Sequence, residues 1–127
     1  MQGSKVPFDE VRVVVVDDSL DAAESLAELL RAHGCAVHTA GSACLALELI
    51  ARHRPHCVLF DILMPGMSGD ELCAGLRAQY GDDIVLIAVS GHTDSDPRVG
   101  RAFALADHYF TKPVDAGRLI ELLRPQH

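Results

Sequence analysis

Asp17, Asp18, Asp61, Ser90 and Lys112 each follow a short apolar run. Val13 to Val16 precede the Asp17-Asp18 pair, Val58-Leu59-Phe60 precede Asp61, Ile84 to Val89 precede Ser90, and His108-Tyr109-Phe110-Thr111 precede Lys112, which is followed by Pro113. Adjacent carboxylates repel each other, and a hard cation with oxygen ligands relieves that repulsion. Magnesium suits such a set because it takes one or two carboxylates, keeps several waters and accepts phosphate oxygens. A carboxylate oxygen such as that of Asp61 can attack phosphorus and become an acyl phosphate. The demands of that transfer are positioning and charge neutralisation. Lys112 is the candidate ammonium for the neutralisation, and Ser90 offers a hydroxyl that can donate to a phosphoryl oxygen. An X-Pro bond adopts the cis form cheaply, so a cis Lys112–Pro113 peptide is one way to aim the lysine. Singly, each residue has an ordinary use: a helix cap or polar loop for Asp17-Asp18, a turn for Asp61 or Ser90, a surface cation for Lys112. The chemistry requires that all of them converge.

Convergence depends on the elements that carry them. The sequence predicts strands over 11–16, 36–39, 57–60, 84–89 and 108–110, and helices over 20–33, 43–53, 70–79, 96–106 and 116–124. The first, third and fourth strands are continuously apolar, as expected of strands covered on both faces. The second, Ala36-Val37-His38-Thr39, is more polar and suits an edge. Leu20, Ala23, Ala27 and Leu30 form one stripe on the first helix, Asp21 and Glu24 are spaced like a capping box, and Gly34 stops it. Ser42 is expected to cap the second helix, with Ala43, Leu47 and Ile50 buried and Pro55 beyond its end. Asp96 precedes Pro97 as the cap of the fourth helix. Asp115 caps the fifth, which is expected to bury Leu119, Leu122 and Leu123. Strict strand–helix alternation means a parallel sheet with helices on both faces and right-handed crossovers. Ligands of such sheets bind beyond the carboxyl ends of the strands, which is where the five groups lie.

The chain of 127 residues is the size of one domain, with 49% hydrophobic and 23% charged residues. Its formal charge of -7 argues against direct nucleic-acid binding and suits gathering cations or docking on a basic partner. Lysine occurs at positions 5 and 112 alone, so a lysine just before Pro113 stands out in a chain that otherwise uses arginine. Cys35, Cys44, Cys57 and Cys73 make no CxxC pair and are expected as buried thiols. With no leader, transit peptide or long apolar span, a cytoplasmic location and no membrane association are expected. Pro55 separates His53 from His56, so His53-Arg54-Pro55-His56-Cys57 reads as a solvated loop feeding a buried thiol. His33, His38, His108 and His127 form no evident constellation. Residues 1–10 read as a short lead-in and 125–127 as a tail.

In order, Val16-Asp17-Asp18, the run from Phe60-Asp61-Ile62-Leu63-Met64-Pro65 to Gly69, Val89-Ser90-Gly91 and Tyr109-Phe110-Thr111-Lys112-Pro113 resemble the receiver domain of two-component response regulators, of the chemotaxis-regulator kind, over residues 11–124. The resemblance implies a single flavodoxin-like (βα)5 domain with strand order 2-1-3-4-5. It implies Asp61 as phosphoacceptor, Asp18 as a direct Mg2+ ligand, Asp17 acting through a bound water, and the backbone carbonyl of Leu63 completing the protein ligands, with Mn2+ able to substitute. It further implies Ser90 and Tyr109 as switch residues, and Lys112 as the phosphoryl-contacting lysine with a cis bond to Pro113. The donor implied is a sensor histidine kinase or histidine phosphotransfer protein. The target is a downstream protein or output domain, reached through the face of the fourth helix, fifth strand and fifth helix, with a monomer or a weak dimer through that face. Such a domain is no turnover enzyme; it catalyses only its own Asp phosphorylation and dephosphorylation. Leu105 departs from a glycine common in receivers, Leu63 and His92 occupy variable rim positions, and Gly100 points to mobility in the fourth helix. The chain stops after the last helix, so a receiver without an effector domain is expected. Two other readings differ in a testable way. Dehalogenase-like phosphohydrolases pair their Asp nucleophile with an Asp two residues on, where Leu63 stands here. A pure interaction module would not label with acetyl phosphate and magnesium.

Overall fold

In a computed structural model of the chain, residues 11–62, 64, 66–91 and 97–123 are described. The elements run β1 (Arg12–Val16), α1 (Leu20–Ala32), β2 (Ala36–Ala40), α2 (Ala43–His53), β3 (Cys57–Asp61), α3 (Gly69–Tyr80), β4 (Val85–Ser90), α4 (Pro97–Leu105), β5 (His108–Thr111) and α5 (Ala116–Leu123). The strands pair in parallel in the order β2-β1-β3-β4-β5. This is the flavodoxin-like arrangement that the resemblance implied, with the polar β2 at an edge as its residues suggested. Asp61 and Ser90 are the last residues of β3 and β4 rather than the first beyond them.

Strand alternation divides the core in two. Val14, Val16, Val58, Phe60, Leu86 and Ala88 face α2, α3 and α4, while Val13, Val15, Cys57, Leu59, Ile87 and Phe110 face α1 and α5. Each large side chain buried this completely contributes about 1.5–3 kcal/mol. Both layers lock the central strands β1, β3 and β4, so their carboxyl ends form a rigid rim.

Several local expectations are corrected. Ser19 caps α1, its hydroxyl accepting from Ala22 N–H, while Asp21 merely occupies the first turn. Glu24 makes no capping box; its carboxylate accepts from the Thr39 hydroxyl at 2.7 Å and pairs with Arg31. Leu20 is 57% exposed, because a helix starting there puts its first residue past the end of β1 with no strand beneath it. Ser42 does cap α2, but Ala46 takes the fully buried place between Ala43 and Ile50, and Leu47 is half-buried. Arg54 ends α2 in the left-handed region (φ 50°) just before Pro55. Asp115 caps α5 as expected; Leu119 and Leu123 are buried with Ile120, whereas Leu122 turns outward. Cys35, Cys57 and Cys73 are buried, but Cys44, on the outer side of α2's first turn, is exposed. His38 and His53, 15 residues apart in sequence, stack with ring centroids 3.8 Å apart. Residues 1–10, Leu63, His92, Asp96 and residues 125–127 lie outside the described residues. Among the described residues, no helix is long and apolar enough to cross a membrane.

Candidate functional site

Strand register decides which carboxyl ends stand side by side. Val16 lies opposite Phe60, so Asp17 leaves β1 abreast of Asp61. Asp61 lies opposite Val89, and Ser90 lies opposite Thr111, one residue before Lys112. Backbone hydrogen bonds extend these ladders past the strands: Asp17 N–H donates to Ala40 O (3.0 Å), Ile62 N–H to Val89 O (3.0 Å) and Lys112 N–H to Ser90 O (2.9 Å). Four strand ends are thereby fixed at one level, and the side chains of Asp17, Asp61 and Lys112 meet there.

Asp17, Asp18 and Asp61 each offer a carboxylate oxygen, all within 4.8 Å of one another. Asp17 and Asp61 are 7% and 9% exposed, while Asp18 opens to solvent. Lys112 Nζ donates to Asp17 Oδ2 at 3.0 Å and to Asp61 Oδ2 at 3.3 Å. Partial burial disfavours the ammonium, but the hydrogen bond it donates to Asp17 and the charge of Asp61 outweigh this and hold the lysine above its usual range. The other oxygen of Asp17 accepts from Ser19 N–H at 2.9 Å, which ties this carboxylate to the start of α1. The Lys112–Pro113 peptide is cis. Ser90 is fully buried, on the same side of β4 as Leu86 and Ala88. Tyr109, directly across from Ala88, packs half-buried against that same layer.

These groups suit a small hard dication. All donors are oxygens, and ligands about 2.0–2.1 Å from magnesium stand no more than roughly 4.2 Å apart across the ion. The observed spacing is within a small side-chain rotation of that. The Leu63 carbonyl lies outside the described residues. A cleft of about 550 Å3 opens beside the acidic cluster between α1 and the β5–α5 loop, with Ala22, Leu26 and Val114 on its walls and Asp17, Asp61 and Lys112 at one end.

Three features here were not anticipated. Gly69, the first residue of α3, sits so close to the end of β3 that a Cβ would come 2.5 Å from Ile62 Cα and 2.6 Å from Asp61 O. Glu71 accepts from Ser68 N–H at 3.0 Å, a Ser-x-x-Glu cap whose spacing is visible in the sequence. Asp70, buried, accepts from the Ser68 hydroxyl and from Arg101 Nε on α4. No local pattern announces a pair 31 residues apart.

Comparison with known proteins agrees with this geometry. Residues 13–124 match the model of the response regulator receiver domain family. The chain is 37% identical over 114 residues to a response regulator MprA of Mycobacterium sp. (strain KMS), and 34% identical to that of Mycobacterium leprae (strain TN). Each alignment covers 90% of this chain and 49% or 50% of the relative, so the chain spans about half the length of the curated relatives it matches. Among solved structures it is similar to a CheY-like receiver domain protein from Methanospirillum hungatei JF-1 (TM-score 0.81, 30% identity, 90% of each chain). It is also similar to a response regulator receiver protein from Pseudomonas putida (TM-score 0.80, 30% identity, 91% of this chain and 97% of that one).

Proposed function

The chain belongs to the response regulator receiver domain family, and we propose that it accepts a phosphoryl group on Asp61 from a phosphohistidine and converts that charge into a change of its α4-β5-α5 face. The observation that carries this reading is Lys112 Nζ bridging Asp17 and Asp61, beside a third carboxylate open to solvent.

An Asp61 oxygen attacks phosphorus while the bond from phosphorus to the donor's imidazole nitrogen breaks. The electron pair returns to that nitrogen. Asp18, from its exposed position, and Asp61 would ligate Mg2+ or Mn2+ directly, with Asp17 acting through a water. The cation, when bound, neutralises charge on the phosphoryl oxygens. Lys112 neutralises it from the other side. Asp17 holds the ammonium in place, so little rearrangement is needed at the moment of transfer. The same groups act on Asp61 alone, so the chain catalyses its own phosphorylation and dephosphorylation and turns over no separate substrate.

The acyl phosphate adds about -1.5 to -2 charge at the rim. Ser90 donates its hydroxyl to a phosphoryl oxygen, and Tyr109 moves toward the space this vacates. Ala88, across the ladder from Tyr109 and two residues before Ser90, places only a methyl group between them. The result is a shift of a two-state equilibrium rather than a new fold. The donor is a sensor histidine kinase or histidine phosphotransfer protein. The output passes to a protein or output domain, not directly to nucleic acid, consistent with a charge of -7. The four cysteines are free thiols, in keeping with the cytoplasm. The chain acts as a monomer or as a weak dimer through α4-β5-α5.

Titration with beryllofluoride and Mg2+, followed by amide NMR, tests this reading. Saturable, Mg2+-dependent shifts at Asp61, Ser90, Tyr109 and Lys112 are expected. A spectrum unchanged at saturating beryllofluoride would overturn it.

A further inference from the structure

The Asp70–Arg101 pair does no chemistry at the rim, yet it joins the helix that abuts Asp61 to the helix that follows Ser90. We propose that this ion pair is a positioning tie that holds α4 in the resting arrangement and so sets how much of the phosphoryl group's binding energy the switch must spend. The inference rests on the acceptor reading above and adds to it a regulatory pair remote from the phosphoryl group.

Asp70 is the fixed end. It lies in the first turn of α3, which packs Leu72, Cys73 and Leu76 into the core with at most 1% exposure. Gly69 N–H donates to Ile62 O at 2.7 Å, and the Gly69 backbone touches that of Asp61 and Ile62. The backbone that carries Asp70 is thereby tied to the end of β3. α4 is the other end. Its described buried side chains are Val99 and Ala102. Its last turn is held separately, by Arg77 Nε donating to Leu105 O at 2.9 Å, while the same guanidinium pairs with Asp107 at 2.7 Å. A helix pinned at its C-terminal end pivots there, and Arg101 lies one turn nearer its N-terminal end.

The asymmetry of burial gives the tie its direction. Arg101 is 59% exposed, whereas Asp70 is only 4% exposed. If α4 swings away, the guanidinium goes into water at little cost, but the carboxylate, buried in the resting arrangement, loses its ion-pair partner and keeps the Ser68 hydroxyl. Stripping the partner from a buried charge is unfavourable. The tie therefore opposes displacement of α4, and cutting it favours the switched arrangement. By linkage, a ligand selective for that arrangement binds more tightly.

The test compares beryllofluoride affinity in Mg2+ for the wild-type chain, Arg101→Gln, and the double variant Asp70→Asn/Arg101→Gln. The double variant removes the buried charge along with its partner and guards against simple misfolding. Both variants are expected to bind roughly 2- to 30-fold more tightly, with higher hydrogen exchange across residues 97–105 before ligand is added. A merely structural pair would lower the urea midpoint of Arg101→Gln and leave the affinity unchanged. Unchanged or weaker binding by both variants, with the wild type binding normally, overturns the tie alone. A wild-type chain that does not bind beryllofluoride overturns the acceptor reading and this inference with it.

Discussion

Gly69→Ala puts a methyl group where the backbone at the end of β3 already lies. The added Cβ would stand 2.5 Å from Ile62 Cα, 2.6 Å from Asp61 O and 3.0 Å from Phe60 Cδ2. Two of these contacts are with backbone, so no rotamer change relieves them. The start of α3 and the end of β3 must separate by about 0.5 Å merely to bring the closest contact to 3.0 Å. Overpacking of this kind costs about 1–3 kcal/mol. Part of that displacement falls on Asp61, and a misplacement approaching 1 Å at a reacting group is worth roughly 100-fold in rate. Gly75→Ala supplies the control in the same helix. Nothing lies within 4 Å of its Cβ, so the same chemical change should stabilise by about 0.5–1 kcal/mol and leave labelling alone. Urea unfolding and the rate of labelling by acetyl phosphate with Mg2+ read both effects. If Gly69→Ala matches Gly75→Ala in midpoint and in rate, the close approach of α3 to the end of β3 does not govern the site.

Other perturbations follow from the same geometry. Lys112→Ala should destabilise by about 1–2 kcal/mol at low salt, the lower part of the range for charged hydrogen bonds because a third of this side chain meets water. Added Mg2+ should recover part of that loss, and beryllofluoride should still bind but no longer shift Tyr109; a normal Tyr109 shift would refute the coupling role. Burial, then the neighbouring His53 and Arg31, hold His38 below its usual value of 6.5. The unfolded chain therefore binds that proton more readily, and stability present above about 6.5 should fall as pH drops below it. His38→Gln should flatten that part of the urea-midpoint profile, and an unchanged slope would exclude His38 as its source. Asp107 titrates below its usual 3.8, because the Leu86 N–H bond and Arg77 outweigh its desolvation. Its contribution is present above 3.8 and lost as pH falls through the lower folded value. Arg77→Met should therefore shrink the loss of stability in acid, and an acid limb as steep as wild type would contradict this.

The rim was legible because parallel-sheet geometry converts a one-dimensional rule, a polar residue ending an apolar run, into a three-dimensional meeting place. Asp17, Asp61, Ser90 and Lys112 needed no side-chain detail to be brought together, only register. What was misread depended on a choice of phase or on contacts distant in sequence. Ser19, not Asp21, starts α1, and that displacement leaves Leu20 overhanging the sheet. Leu122 and Ile120 are equally apolar, and only the packing angle of α5 decides which one is buried. The Ser68–Glu71 cap carries a local signature. The Asp70–Arg101 pair and the His38–His53 stack carry none, since their partners meet only after the sheet has formed.

Peptide mapping by mass spectrometry after treatment with acetyl phosphate and Mg2+ addresses the central claim directly. One phosphoryl group is expected, on the peptide that contains Asp61, and it should vanish in Asp61→Asn and when the cation is chelated. A label on any other side chain, or equal labelling of Asp61→Asn, would contradict the assignment of this carboxylate as the acceptor.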